Sequence, residues 1–277
     1  MKKKIRIIMI ITLAAIVAPA LFFYIREKEN GHNKKIKVSG NIEATDIRLS
    51  FRVGGKISQL LTDEGKVIKT GDILARLETD ELTKVKDEAE AYLKAAEAQY
   101  ALDKADSDRA ENLFQAGSIS AQKRDFAKTK ADADRANVEA LKATLDLANT
   151  RLGFADLTSP IDGFVLVKSA EAGEVVQMGS TIFTVANLHD IWLTAYINET
   201  DLGRVKLNQT ADIRTDTYPN KVYKGRISFI SQEAEFTPKQ IQTTEERVKL
   251  VYRIKIKVDN TNLELKPGMP ADGYIIE

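Results

Sequence analysis

This sequence of 277 residues contains no cysteine and few histidines, and its formal net charge is close to zero. Without cysteine the chain can form no disulfide, thiolate metal site or thiol nucleophile, and it has no cysteine to lipidate. The net charge of +1 lacks the basic surplus typical of nucleic-acid-binding proteins. The two histidines, His32 and His189, lie far apart, which does not favour a metal pair. We therefore expect no metal, no cofactor and no nucleic-acid partner.

Motifs that would indicate an enzyme are also missing. The pair Gly54-Gly55 is followed by a strand pattern, not by a helix that carries Gly-Lys-Ser/Thr, so no phosphate-binding loop is indicated. The acidic pairs Asp80-Glu81 and Asp87-Glu88 lie where a helix is predicted to begin, and there they favour the helix dipole. We expect a protein that is not an enzyme and has no catalytic residues.

Proline is absent between Gly71 and Gly153, and the single glycine in that stretch is Gly117. The other residues are mostly strong helix formers, so residues 80–157 predict a helical hairpin that turns at Gly117. Apolar residues recur at coiled-coil spacing on both sides of the turn. The predicted pairs are Leu82 with Leu152, Ala89 with Leu145, and Ala96 with Val138. The predicted seam of the first arm also contains Val85, Tyr92 and Gln99, and that of the second contains Leu141 and Ala148.

A long hydrophobic run occurs once, from Ile7 to Ile25, after the basic segment Met1–Arg6. Its length matches the hydrocarbon thickness of a bilayer, and the preceding lysines place the N-terminus in the cytoplasm. A cleaved signal peptide is the alternative, because Ala18-Pro19-Ala20 resembles a cleavage site. We favour an uncleaved anchor; in both cases the rest of the chain is exported.

The segments that flank the hairpin are related by an internal repeat. Glycines at 55, 65 and 71 recur at 163, 173 and 179 with the same spacing, and five apolar positions agree at the same constant offset. Each copy predicts strand, turn, strand, turn and strand. Neither copy can bury its apolar face alone, so we expect the two to close on each other across the base of the hairpin. The turn glycines are Gly55, Gly65, Gly71, Gly163, Gly173 and Gly179.

The C-terminal region predicts a small β-barrel. Short alternating segments lie at 191–197, 209–214, 222–230, 250–258 and 271–276, separated by Asn, Asp, Gly and Pro. Trp192, the only tryptophan, is expected in the barrel core. Residues 232–247 are expected to form a long loop beside the barrel.

The glycine repeat resembles the biotinyl/lipoyl carrier fold, split where a carrier presents its modifiable lysine. No Met-Lys-Met sequence occurs here, and the hairpin lies at that place. Together with the anchor and the barrel, the whole chain resembles the HlyD-type periplasmic adaptor (membrane fusion protein) family. The YbhG-type adaptors of ABC export systems are the closest likeness, through Leu49-Ser-Phe-Arg-Val-Gly-Gly55, Glu235-Phe-Thr-Pro-Lys239 and Leu250-Val-Tyr-Arg253. Those proteins have longer helical arms than this chain.

The resemblance implies an α+β multidomain protein: a split lipoyl-like β domain interrupted by an antiparallel coiled-coil hairpin, a small C-terminal β-barrel, and an N-terminal transmembrane anchor. The predicted boundaries are 1–26 for the anchor or signal, 27–37 for a tether, 38–53 for the first strands, 54–79 and 158–188 for the lipoyl-like halves, 80–157 for the hairpin, and 189–277 for the barrel and membrane-proximal region.

The resemblance also implies a docking motif at the hairpin tip, because such adaptors engage TolC-type channels through Arg, Leu and Ser at a fixed spacing around the turn. The resemblance assigns Arg109, Leu113 and Ser120 to this docking motif and Asp125 to an accompanying acidic position. A local interpretation stays open: Arg109 and Asp125 lie opposite each other under the fold at Gly117 and would form an ion pair across the hairpin. Ser118 or Ser120 would also cap the second arm.

The resemblance implies an adaptor that links an inner-membrane transporter, of ABC type, to a TolC-type outer-membrane channel for efflux or export. Such adaptors assemble into rings, usually of six copies. The implied location is the inner membrane of a Gram-negative-type bacterium, with one span and a periplasmic body. The alternatives are an adaptor for protein secretion, an envelope scaffold without an efflux role and, most remotely, a biotin or lipoate carrier.

Overall fold

The computed structural model describes residues 35–236 and 250–276, which form two compact units. We call Asp46–Ala186 the hairpin unit, and residues up to Thr45 together with those from Asn187 the barrel unit. The predicted anchor at 7–25 and His32 lie outside the described residues, as do residues 237–249 of the predicted loop. Within the described ranges, no helix combines the length and apolarity needed to span a bilayer.

The chain alternates short strands with two long helices. Its elements are β1 (Ile36–Ser50), β2 (Gly55–Leu60), β3 (Val67–Ile68), β4 (Ile73–Leu77), α1 (Asp80–Gln115), α2 (Ala121–Gly153), β5 (Asp156–Thr158), β6 (Gly163–Lys168), β7 (Val175–Val176), β8 (Thr181–Asn198), α3 (Glu199–Leu202), β9 (Thr210–Thr215), β10 (Tyr223–Phe236), β11 (Leu250–Val258) and β12 (Pro270–Ile275).

The repeat of the hairpin unit is present at the predicted offset. Strands β6, β7 and β8 begin at the positions that the glycine repeat makes equivalent to the first residues of β2, β3 and β4. The halves exchange strands, since β2 pairs with β7 and β3 pairs with β6. Equivalent hydrogen bonds repeat as well: the Gly65 amide donates to the Val165 carbonyl, and the Gly173 amide to the Ile57 carbonyl, each at 2.8 Å. The two halves therefore close on each other as expected.

Glycine is required at four of the six repeat positions. Gly65, Gly71, Gly173 and Gly179 have φ between +76° and +92°, a region that residues with a β-carbon avoid. Most of the repeated apolar residues are buried in one core with Phe51. The pair Val67 and Val175 is the exception, because both side chains are more than two-thirds exposed.

The barrel unit is a six-stranded barrel. The strands follow the order β1, β12, β9, β10, β11 and β8, and β8 also pairs with β1, which closes the barrel. Strand β1 begins at Ile36, inside the predicted tether, because Ile36 and Val38 alternate into the barrel core. Strand β10 extends to Phe236, so the first residues of the predicted loop belong to a strand.

The prediction for Trp192 was wrong. Ile191 and Leu193 are fully buried, so the alternation of β8 directs the indole between them to the outside of the barrel. There its Nε1 donates to the Thr194 hydroxyl at 3.0 Å and to Glu43 at 3.3 Å. The Lys255 ammonium lies 4.2 Å from the ring centre. An indole with these polar partners is stable at the surface, and aliphatic residues fill the core in its place.

Closure of the barrel depends on a close approach at Gly40. A β-carbon there would lie 1.8 Å from the carbonyl oxygen of Thr194 on β8. We expect Gly40→Ala to destabilise the barrel unit by about 1–3 kcal/mol, the usual cost of overpacking a filled interior. The measurement is the thermal unfolding midpoint of the solubilised full chain. Gly203→Ala is the matched control, because nothing lies within 4 Å of a β-carbon there; equal midpoints for the two variants would contradict the close approach.

Candidate docking site at the hairpin tip

The helices α1 and α2 pack along a seam that continues from the base to the tip. Buried or half-buried side chains recur at alternating spacings of four and three residues, as in a coiled coil. Most of the predicted seam residues are confirmed. The seam of α1 contains Leu82, Lys86, Ala89, Leu93, Ala96, Tyr100, Asp103, Ser107, Ala110 and Phe114. That of α2 contains Arg124, Ala127, Ala131, Asp134, Val138, Leu141, Leu145, Ala148 and Leu152.

The predicted phase of the first arm was partly wrong. Val85, Tyr92 and Gln99 are exposed, and the next residue in each case, such as Leu93, faces α2 instead. A heptad through Ala89 and Ala96 can continue in either phase, and packing against the second helix selects one. The pairing of residues between α1 and α2 agrees with the alignment predicted by folding the sequence back at Gly117. Lys130 pairs with Asp103 at 2.8 Å and Arg124 approaches Glu111 at 3.9 Å, each within one residue of the predicted alignment.

The turn between the helices is compact and capped. Gly117 has φ +73°, and the Ser118 amide donates to the Leu113 carbonyl at 2.8 Å. Ser120 is the N-cap of α2, and its hydroxyl accepts from the Lys123 amide at 3.4 Å. The cap expected at Ser118 or Ser120 is therefore at Ser120. The guanidinium of Arg124 lies 4.3 Å from the Phe114 ring centre and ties the two arms together beside the turn.

The ion pair expected between Arg109 and Asp125 is absent. Arg109 instead pairs with Asp106 on its own helix, and Asp125 accepts from Arg124 at 2.7 Å. The seam positions explain this, because Arg109 lies on one side of the hairpin and Asp125 on the other. Their side chains therefore point away from each other.

The predicted docking residues divide into two groups. The Arg109 side chain, although paired with Asp106, is 68% exposed, and Leu113 is 48% exposed on the same side of the tip, so both are accessible to a partner. Ser120 and Asp125 hold the shape of the tip through the cap and through Arg124. The sequence analysis missed Phe126, which is 73% exposed on the same side as Leu113. An aromatic residue outside the heptad seam, close to the turn, was the available signal.

Comparison with known proteins decides the family. Residues 46–187, more than half of the chain, match the profile described as a CzcB-like barrel-sandwich hybrid domain. Residues 191–272 match a YknX-like β-barrel domain.

The chain belongs to the membrane fusion protein family of periplasmic adaptors. Members of this family are generally without enzymatic activity, and the match supports an efflux adaptor role.

Sequence relatives span nearly the whole adaptor. The UPF0194 membrane protein of Citrobacter koseri is 29% identical over 324 residues, which cover 98% of this chain and 97% of the relative. The UPF0194 membrane protein YPTB1212 of Yersinia pseudotuberculosis is 29% identical over 322 residues, with the same coverage. Both alignments are longer than this chain, so both relatives contain residues that it lacks.

Solved structures show the same fold. MacA from Actinobacillus actinomycetemcomitans superposes with a TM-score of 0.74 at 24% identity, over 88% of this chain and 79% of that chain. The membrane fusion protein Spr0693 from Streptococcus pneumoniae R6 has a TM-score of 0.69 at 16% identity, over 87% and 98% of the two chains.

A polar layer interrupts the seam of the adaptor between its base and its tip. Asp103 is almost fully buried, accepts from Lys130 at 2.8 Å and Gln99 at 2.7 Å, and lies within hydrogen-bonding reach of the half-buried Asp134. The hydrogen bond from Asp134, followed by those from Lys130 and Gln99, lowers the pKa of Asp103 to about 2. The same contact with Asp103 raises the pKa of Asp134. One proton between two carboxyl groups fits these opposite shifts.

From the sequence alone, Asp103 and Asp106 in the outer part of the first arm predict a tip that is packed more loosely than the base, but only Asp103 interrupts the seam. Asp106 lies outside the seam, half-exposed, with Arg109 as its partner. The interruption is therefore one layer, formed by Asp103 and Asp134, and most of its hydrogen-bonding groups are satisfied. Whether the tip exchanges its amide hydrogens faster than the base stays a prediction.

The polar layer should make the stability of the distal hairpin depend on pH in two opposite ways. Asp134 binds its proton more tightly in the fold, so its contribution is complete in acid and is lost as the pH rises from the ordinary value of 3.8 through the raised pKa. Asp103 contributes fully above 3.8, and that contribution is lost as the pH falls towards 2.

Asp134→Asn should prevent the loss of hairpin stability at higher pH. The side-chain amide of asparagine donates a hydrogen bond to Asp103 at any pH, whereas a carboxyl group does so only when it is protonated. We expect slower amide hydrogen exchange around residues 100–136 than in the wild type at pH 7, and little difference near pH 4. Asp132→Asn, at an exposed position, is the control. Faster exchange in Asp134→Asn than in the wild type at pH 7 would contradict a shared proton.

Proposed function

We propose that this adaptor links an inner-membrane transporter, of ABC type, to a TolC-type outer-membrane channel for efflux or export. Its body would lie in the periplasm, anchored by residues 7–25. The observation that carries the proposal is the place of the hairpin: it interrupts the lipoyl-like domain between β4 and β5. In a carrier protein, a modifiable lysine would be presented there.

The base of the hairpin is built to hold the two helices firmly. Strands β4 and β5 pair directly, and the Leu77 amide donates to the Ala155 carbonyl at 2.9 Å. Arg76 and Asp156 add an ion pair at 3.0 Å. With 36 residues at about 1.5 Å each, α1 alone extends roughly 54 Å. A firm base and a long stem suit an element that carries its tip to a distant partner.

The tip presents the groups that would meet the channel. Arg109, Leu113 and Phe126 are all exposed on one side, where a cation lies beside two apolar side chains. Arginine and aromatic residues are the types that contribute most to protein interfaces. This arrangement supports docking against another helical hairpin, with Ser120 and Asp125 keeping the turn in shape.

The barrel unit and the lipoyl-like strands would make the contacts with the transporter and with neighbouring copies of the adaptor. We propose that the barrel unit faces the transporter and that the lipoyl-like domains of several copies, six by resemblance, form a ring around the exported substrate. The relatives have additional residues, which we place in longer hairpin arms. The shorter arms of this adaptor would then require a channel or a partner arrangement that spans a shorter gap.

Substitutions at the tip test this proposal. Arg109→Asp and Leu113→Ser should each reduce export and cross-linking to the channel by about tenfold or more, as expected for residues central to an interface. Lys128→Asp is the control for the charge reversal, because Lys128 is exposed on the opposite side of the tip. Unchanged export and cross-linking in both tip variants would refute docking through these residues.

A further inference from the structure

A cleft of about 410 Å³ opens at the base of the hairpin, within the hairpin unit. The end of β1 and the two residues after it form one wall, and the segment from the end of α2 through β5 forms the other. Strand β5 is the edge strand of its four-stranded sheet, which leaves this wall accessible. The volume lies in the usual range of small-molecule sites, so the chemistry of the lining shows what the cleft could hold.

One wall of the cleft presents two arginines and a hydroxyl group. Leu49 and Phe51 are buried in the core of the unit. The alternation of the chain therefore places Arg48, Ser50 and Arg52 on the outer face, and all three line the cleft. Arginine is not deprotonated in proteins, so this wall carries two fixed positive charges.

The side chains that donate hydrogen bonds into the cleft have no acceptor within the described residues. Arg48 and Ser50 make no side-chain hydrogen bond or ion pair there, and neither does Thr158 on the opposite wall. Arg52 only stacks on Phe154, with its guanidinium 5.1 Å from the ring centre. Stacking fixes the plane of a guanidinium and leaves the N–H groups at its edge able to donate. The cleft thus combines two guanidinium groups with two hydroxyls, all without an acceptor.

The charge around the cleft is positive on balance. Among the described residues that line it, Asp156 is the only one with a carboxylate, and Arg76 neutralises that group through an ion pair at 3.0 Å. The end of α2 lies in the same wall, where a helix carries partial negative charge. The carbonyls of its last turn, however, accept from the amides of Phe154 and Ala155. The two guanidinium groups therefore outweigh the negative groups beside them.

We propose that this cleft binds an organic phosphate, whose phosphate group is held by Arg48 and Arg52. A phosphate monoester carries up to two negative charges and three acceptor oxygens, which match two guanidinium groups and two hydroxyls better than a carboxylate does. The cleft is larger than a phosphate group, and the half-buried Phe154 ring and Pro160 offer an apolar surface to the rest of the ligand. The proposal does not depend on the transporter, the channel or the size of the ring.

Titration of the full chain with phenyl phosphate tests the site. The protein is kept in a non-ionic detergent, and binding is measured by calorimetry. We expect phenyl phosphate to bind and benzyl alcohol, an uncharged aromatic analogue, not to bind. Arg48→Gln and Arg52→Gln should each weaken the binding of phenyl phosphate by about tenfold or more, because each removes a charge-assisted contact. The thermal unfolding midpoints of the variants report whether the fold is intact.

Arg151→Gln is the matched control for the loss of one positive charge. Arg151 lies exposed in the last turn of α2, close to the cleft but not among the residues that line it. Its substitution should leave the affinity within about twofold, since an exposed charge that makes no contact acts only through screened attraction. Equal weakening in Arg151→Gln and in the cleft variants, or no binding of phenyl phosphate at all, would overturn the proposal.

The pH dependence tests the choice of phosphate over carboxylate. A phosphate monoester gains its second charge with a pKa of about 6, while the two arginines stay charged. Between pH 7.5 and pH 5 the affinity for phenyl phosphate should therefore fall by about three- to tenfold, and that for benzoate should change less. An affinity for phenyl phosphate that does not fall, or tighter binding of benzoate at pH 7.5, would refute the assignment to phosphate.

A phosphate group can belong to a soluble ester or to a lipid headgroup, and competition separates these sources. Phosphatidate is added to the detergent micelles before phenyl phosphate is titrated. Displacement of phenyl phosphate from the wild type would assign the cleft to a lipid headgroup, and normal binding of phenyl phosphate would assign it to a soluble ester. Displacement by uncharged diacylglycerol to the same extent would show that the cleft does not select phosphate, which contradicts the proposal.

Discussion

The exchange of short strands between the two lipoyl-like halves is the interaction on which the rest of the hairpin unit depends. Strands β3 and β7 have only two residues each, too few to be stable by themselves, and each pairs with the opposite half. The exchange places β4 beside β5 and brings Leu77 within hydrogen-bonding distance of Ala155. The start of α1 and the end of α2 therefore lie close together at the domain. The first turn of α1 can pack against the last turn of α2.

The hairpin transmits that constraint to its tip through a seam with different chemistry along its length. Leucine and alanine pack the base half, the Asp103–Asp134 layer interrupts the middle, and Arg124 against Phe114 closes the end. A buried polar layer in a coiled coil contributes little to stability but disfavours other registers, since a shift would leave its charges without partners. The seam in turn fixes which residues lie on each side of the stem. It places Phe126 of α2 on the same side as Arg109 and Leu113, which are already neighbours on α1.

Much of the fold could be predicted from the sequence, because glycine spacing and apolar periodicity are local signals. The constant offset between the two glycine sets correctly predicts where three pairs of equivalent strands begin, and Gly117 predicts the position of the turn. The phase of the α1 seam could not be predicted, since Val85 and Lys86 are neighbours and only the packing of α2 chooses between them. Trp192 was misplaced because hydrophobicity alone does not give the direction of a side chain in a strand.

The candidate site was less predictable than the fold. The residues of the tip motif were found by resemblance, but the sequence did not show that Arg109 and Asp125 lie on opposite sides. That distinction follows from the heptad phase, which needed both helices. Phe126 went unnoticed for the same reason: a side chain on a helix can be assigned to the surface only after the seam is known.

The most direct test of the account is removal of the hairpin from the tagged full chain. Replacing residues 80–154 by a short glycine linker between β4 and β5 should leave the strand exchange and the barrel unit intact. We predict that this variant still purifies from membranes with the inner-membrane transporter but no longer with the outer-membrane channel. Retention of the channel, or loss of the transporter from a variant that remains folded, would contradict an adaptor that reaches its two partners through separate elements.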